Sequence, residues 1–127
     1  YILHPIAVMM KQTTDNARIV ALLHDTIEDF SEVNYCGTLD DYYLELIELF
    51  PVAVVSAITL LTRDYDTHLG YMDYIKAIAE NPLATVVKLA DLEHNMDVTR
   101  LGALSDTSME KLQQYHDAYK FLRGIVK

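Results

Sequence analysis

The chain has 127 residues, 51% of them hydrophobic, which suits one compact domain with a real core and leaves too little for two. Its net charge of -9, from 19 acidic and 10 basic residues, excludes a basic face for duplex nucleic acid and attraction to an anionic membrane surface. The single cysteine, Cys36, excludes an internal disulfide; no leader pattern opens the sequence, and the longest apolar stretch, 51–61, falls short of the roughly 20 residues that cross a bilayer, so a cytoplasmic protein is expected.

Helix signals run along the chain and no hairpin turn interrupts them. Pro5 suits the first turn of a helix over 6–11, which places His4 just before it. Thr14 or Asp15 caps a second helix that runs through 17–23 into the acidic cluster His24-Asp25-Thr26-Ile27-Glu28-Asp29. Residues 30–37 read as a loop. Thr38 and Asp41 form a capping-box pattern before a third helix over 42–50. The stretch 51–61 is so uniformly apolar that periodicity cannot separate helix from strand; its helical neighbours and Pro51 favour a central buried helix. A polar run, 62–70, reads as a loop, followed by a short helix over 71–79. Asn81-Pro82 combines a capping residue with proline at the first helical position and starts a helix through 96. Gly102 and Ser105 mark a break, and Thr107 with Glu110 is expected to cap a last amphipathic helix through Leu112, Tyr115, Tyr119 and Leu122. The sum is an all-α bundle without repeats or linkers.

Chemistry concentrates in three patches: His4, the pair His24-Asp25 with Glu28 and Asp29, and Asp91 with His94 and Asn95. On a helix, His24 and Glu28 share one face and Asp25 and Asp29 the next, about 100° apart. Like charges at that spacing cost an exposed helix a few tenths of a kcal/mol and several kcal/mol if buried unpaired, so a cation is expected there. The plain alternative is a solvated acidic helix end. Two imidazoles and two carboxylates suit Mn²⁺, Fe²⁺ or Zn²⁺, and four protein ligands leave room for water and a substrate oxygen. His94, three residues from Asp91, is placed either as a partner of a ligand or in a hydrogen bond within the bundle. Lys88, one turn before Asp91, offers charge to a phosphate or stands solvated; Arg18, Lys76 and Arg100 are similar cations with no motif behind them. His68 and His116 read as surface residues and the Tyr42-Tyr43 pair as packing. Tyr115 and Tyr119 are candidates to close over a bound ligand from the last helix.

In this arrangement the sequence resembles the HD-domain phosphohydrolases, and most of all the hydrolase domains of the RelA/SpoT family and the small alarmone hydrolases. Tyr1-Ile2-Leu3-His4-Pro5 is similar to that family's Y-I-x-H-P, Ala21 to Asp29 to its L-L-H-D-x-x-E-D, and Val87 to Met96 to its K-L-A-D-x-x-H-N-M. The resemblance covers 1 to about 101. It implies an HD-domain helical bundle in which His4, His24, Asp25 and Asp91 hold a metal ion, usually Mn²⁺. It also implies that Glu28 and Asp29 position the attacking water and move its proton, and that Asn95 lines a nucleotide site. The implied reaction removes pyrophosphate from the 3′ position of (p)ppGpp. Against that pattern Leu92 stands where arginine is commoner and Asp97-Val98-Thr99 follow where R-T is usual. The family's helix before the first motif is absent from this sequence, so the N-terminus is expected to be incomplete. A nucleotide-binding module without turnover, and a nucleotidase acting on deoxynucleoside monophosphates, remain open alternatives.

Overall fold

The structure, a computed structural model, describes residues 2–30, 36–64 and 70–126. Among these the chain is all-helical, with α1 (Leu3–Met10), α2 (Asp15–Leu23), α3 (Leu39–Leu49), α4 (Val52–Leu61), α5 (Tyr71–Ala79), α6 (Pro82–Asn95) and α7 (Asp106–Ile125). A 3-10 turn, Val98–Arg100, joins the last two.

Helix α6 is the axis of the bundle. Its start follows from Asn81, whose side chain accepts the Ala84 amide, and from Pro82, which needs no amide partner at the first position. It packs against α1, α2, α4, α5 and α7, and so buries residues nearly all round, from Ala84 and Thr85 to Asp91 and Leu92. Val8, Val20, Val54, Ile58, Ile75, Ile78 and Leu122 close around it, all fully buried. Thr85, the one polar residue in that wall besides Asp91, is satisfied by donating to the Ile78 and Asn81 carbonyls at 2.9 Å.

Several boundaries differ from the sequence expectation, each for a local reason. His4 lies inside the first turn of α1 rather than before it. Helix α2, capped by Thr14, stops at Leu23 instead of continuing through the acidic cluster. There the Thr26 amide (3.1 Å) and hydroxyl (2.8 Å) both take the Leu23 carbonyl, which closes the ladder with a tighter turn and leaves 24–29 as turns. The Thr38–Asp41 capping box forms as expected. Stretch 51–61 is a helix, but it is not buried all round: Val54, Ala57, Ile58 and Leu61 face the core while Val52 is 81% exposed. Apolar residues on the outer face hid that period. Helix α7 is capped by Ser105, whose hydroxyl accepts the Ser108 amide at 3.1 Å, so Thr107 falls inside the first turn. Tyr1, residues 31–35 of the first expected loop, and residues 65–69 of the second, His68 among them, lie outside the described residues. No described helix is long and apolar enough to cross a membrane.

Candidate functional site

Three separate stretches of the sequence meet here: His4, His24 and Asp91 form one buried cluster, with Asp25 beside it. His4 comes from the first turn of α1, His24 and Asp25 from the turn that ends α2, and Asp91 from the last turns of α6. His4 Nε2 stands 2.8 Å from Asp91 Oδ1 and 3.9 Å from Asp25 Oδ2. His24 Nε2 stands 3.3 Å from Asp25 Oδ2 and 3.4 Å from Asp91 Oδ1. His4, His24 and Asp91 are all buried, and their ligand atoms lie within 4.8 Å of one another.

The hydrogen bonds around the imidazoles fix what these atoms present. His24 Nδ1 donates to the Ala21 carbonyl at 2.6 Å, which places a lone pair on Nε2. That Nε2 is buried and has no hydrogen-bond partner among the described residues. His4 Nδ1 meets His94 Nδ1 at 2.6 Å, with the rings stacked 4.9 Å apart. Burial, Arg100 and His4 all pull His94 below the ordinary histidine value; of the two Nδ1 atoms one donates and the other accepts, as the tautomers dictate. His4 Nε2 also lies 2.8 Å from Asp91 Oδ1, a carboxylate acceptor, so without a metal it carries the proton and donates, a proton that metal binding would displace. The His24 Nε2 lone pair and the Asp91 and Asp25 oxygens are acceptors, and a cation among them would satisfy all three. Without a metal that cation is a proton: burial lowers the His24 pKa, but Asp91 and Asp25 outweigh it and raise it overall. Four donors about 2.1 Å from a common ion, at angles from 90° to tetrahedral, stand roughly 3.0–3.4 Å apart. The two His24 separations, 3.3 and 3.4 Å, match that spacing, while His4 Nε2 stands closer to Asp91 (2.8 Å) and farther from Asp25 (3.9 Å); the buried His4, His24 and Asp91 cluster could hold a metal ion.

Asp91 carries further support. Burial pushes its carboxyl up, but Lys88, His24 and His4 hold it well below the usual carboxylate range. Lys88 Nζ donates to Asp91 Oδ2 at 2.8 Å, and Asn95 Nδ2 donates to Oδ1 at 3.2 Å. Lys88 is not solvated: its side chain is only 12% exposed. Burial lowers its pKa, and Asp91 with the surrounding tyrosines raises it by more.

The cluster opens into a cavity of about 1010 Å³. Glu28 lines it and accepts the Arg63 backbone amide; Asp29 does not line it. Partial desolvation raises the Glu28 pKa, Asp25 and Asp29 add to the rise, and the Arg63 amide and Lys88 oppose it. Asn95 and Tyr115 also line the cavity, whereas the Tyr119 hydroxyl is turned to Glu93 at 3.0 Å. Arg100 is on the wall; Arg18 pairs with Asp15 elsewhere, and Lys76 and His116 are exposed away from it. Sequence reasoning missed Arg63, inside a polar run read only as loop, and Lys111, which lies four residues before Tyr115 on one face of α7. Tyr71 and Tyr74, at helical spacing on α5, were missed as well. Arg63, Lys88, Arg100 and Lys111 are four of the chain's ten basic residues. They face four carboxylates on the same lining, Asp25, Glu28, Asp91 and Asp97, so the cavity is close to neutral in formal charge within a chain of net charge -9.

Compared with protein-family models and with curated proteins, the chain matches none.

Proposed function

We propose that the protein is a metal-dependent phosphohydrolase of nucleotides, with guanosine tetra- or pentaphosphate as leading substrate and loss of the 3′-pyrophosphate as its reaction. The observation that carries this reading is the meeting of His4, His24 and Asp91, with Asp25 beside them, at the head of a cavity whose lining carries four cations among its carboxylates. The order and wording of the three motifs support it, as does a cavity large enough for a nucleotide.

Those four residues would hold the ion, and a nitrogen and oxygen set without thiolate suits Mn²⁺. A divalent ion there supplies a Lewis acid for a phosphoryl oxygen and lowers the pKa of the attacking water. Glu28, on the wall beside the ligands and with its pKa raised by partial burial, would take the proton from that water. Asp29, outside the cavity lining, acts on Glu28 through its charge. Asn95 holds Asp91 and borders the nucleotide, while Arg63, Arg100 and Lys111 take its anionic groups.

Asp97 on the same wall adds a negative charge and favours a second reading, a nucleotide-binding module without turnover. Incubation of the Mn²⁺-loaded protein with guanosine tetraphosphate tests both. Release of pyrophosphate is expected. Phosphate release from deoxynucleoside monophosphates alone would point to a nucleotidase. Thermal stabilisation by the nucleotide with no product would favour the binding module, and neither effect would end the proposal.

A further inference from the structure

Lys88 faces the same cavity as Arg63, Arg100 and Lys111, yet its setting differs from theirs. Arg100 and Lys111 are exposed and Arg63 is half-buried, whereas Lys88 sits at the floor with its ammonium largely out of water. A buried ammonium needs acceptors. Asp91 Oδ2 supplies one at 2.8 Å, and the face of the Tyr74 ring lies 5.3 Å from Nζ. That ring is itself anchored, because the Tyr74 hydroxyl donates to the Leu61 carbonyl at 2.6 Å. Lys88 and Asp91 are three apart on α6, so the helix sets their approach.

The consequence lies in how Asp91 divides its two oxygens. Oδ2 goes to Lys88, while Oδ1 faces His4 Nε2, His24 Nε2 and the Asn95 amide. A carboxylate bonded on both sides cannot turn about its last torsion, so a single oxygen is presented to the ligand cluster. We infer that Lys88 is a positioning residue for the metal centre, fixing which oxygen Asp91 offers, and that phosphate groups are bound by Arg63, Arg100 and Lys111 instead. The inference rests on the metal-binding part of the function proposed above and not on turnover.

The test is calorimetric titration of metal-free protein with Mn²⁺ and no substrate, on wild type, Lys88→Met and Lys88→Gln, followed by titration of each Mn²⁺-loaded protein with inorganic pyrophosphate. Glutamine keeps an N–H donor without the charge and guards against a variant that fails to fold. Removal of a partner that orients a metal ligand weakens metal binding by about 10- to 100-fold. Lys88→Met is expected to show that loss and Lys88→Gln a smaller one, with pyrophosphate affinity at saturating Mn²⁺ within about threefold of wild type. Unchanged Mn²⁺ affinity with pyrophosphate binding lost would make Lys88 a phosphate contact and overturn the inference. Tighter Mn²⁺ binding in Lys88→Met would overturn it too, since charge repulsion would then outweigh orientation. Wild type that binds no Mn²⁺ would overturn the functional proposal along with it, whereas wild type that binds Mn²⁺ but hydrolyses nothing leaves the inference standing.

Discussion

Asp91→Asn separates the charge of this residue from its shape. The asparagine fits the same space, but Lys88 is left as a buried cation facing a neutral oxygen, and the imidazoles lose one of their two carboxylates. Removing one partner of a buried pair costs about 3–5 kcal/mol, and because the amide oxygen still accepts from Lys88 the lower end, about 3 kcal/mol, applies. A chain of this length has a stability on the order of 6–19 kcal/mol, so the variant still folds. With an unfolding entropy of about 2.1 cal/mol/K per residue, the melting temperature falls by roughly 10 °C. The Asp91 pKa is depressed in the fold, so its contribution is complete above the unfolded value near 3.9 and disappears as pH falls through the folded value. The gap between wild type and variant is therefore full at pH 7 and closes in strong acid. Thermal melts followed by circular dichroism from pH 2 to 8, with and without Mn²⁺, measure both effects. Wild type in Mn²⁺ at 100 times its Kd gains about 2.7 kcal/mol, again on the order of 10 °C, and the variant gains little. A variant as stable as wild type at pH 7, or one that keeps the Mn²⁺ shift, would show that Asp91 neither balances Lys88 nor binds the ion.

Three further outcomes follow from the same geometry. The raised His24 pKa means that His24 stabilises the metal-free fold fully below about pH 6.5 and that this is lost as pH rises through the folded value, while a proton on Nε2 competes with metal; Mn²⁺ affinity measured by calorimetry should rise from pH 5.5 to pH 8, and a flat profile would contradict the tautomer assigned here. Glu28→Gln should lower kcat by about 10²- to 10⁴-fold with KM little changed, and Asp29→Asn by much less, so steady-state kinetics giving equal losses would place both carboxylates in the chemistry. Replacing Arg100 and Lys111 together by alanine should raise KM for a multiply charged nucleotide about 10-fold or more, with the deficit shrinking at high salt; a kcat loss with unchanged KM would contradict their role as anion contacts.

How far the sequence spoke for the structure depended on whether a signal was local. Asn81-Pro82 and the Thr38–Asp41 box announced two helix starts because a cap needs only its own few residues. His4, His24, Asp25 and Asp91, spread over 87 positions, could be joined only through ligand chemistry and the motif resemblance, since spacing within one helix says nothing about which helix ends meet. The end of α2 was misplaced because Thr26, ordinary in composition, captures the Leu23 carbonyl with both its amide and its hydroxyl. Lys88 was ambiguous for the opposite reason: its motif position was plain, but its burial under Tyr74 depends on how α5 packs on α6. Arg63 and Lys111 carried no pattern at all, because charge at a cavity rim is set by tertiary folding and not by sequence period. Asp97, which stood out as an acid in an unexpected place, accepts the Thr99 amide at 3.0 Å and its hydroxyl at 2.6 Å, capping the 3-10 turn that carries Arg100 to the cavity.

Anomalous diffraction from crystals of the protein grown with Mn²⁺ locates the ion without reference to turnover. One peak per chain is expected, about 2.0–2.6 Å from His4 Nε2, His24 Nε2, an Asp25 oxygen and Asp91 Oδ1. No peak there, or a peak bound only by surface carboxylates, would contradict the account at its centre.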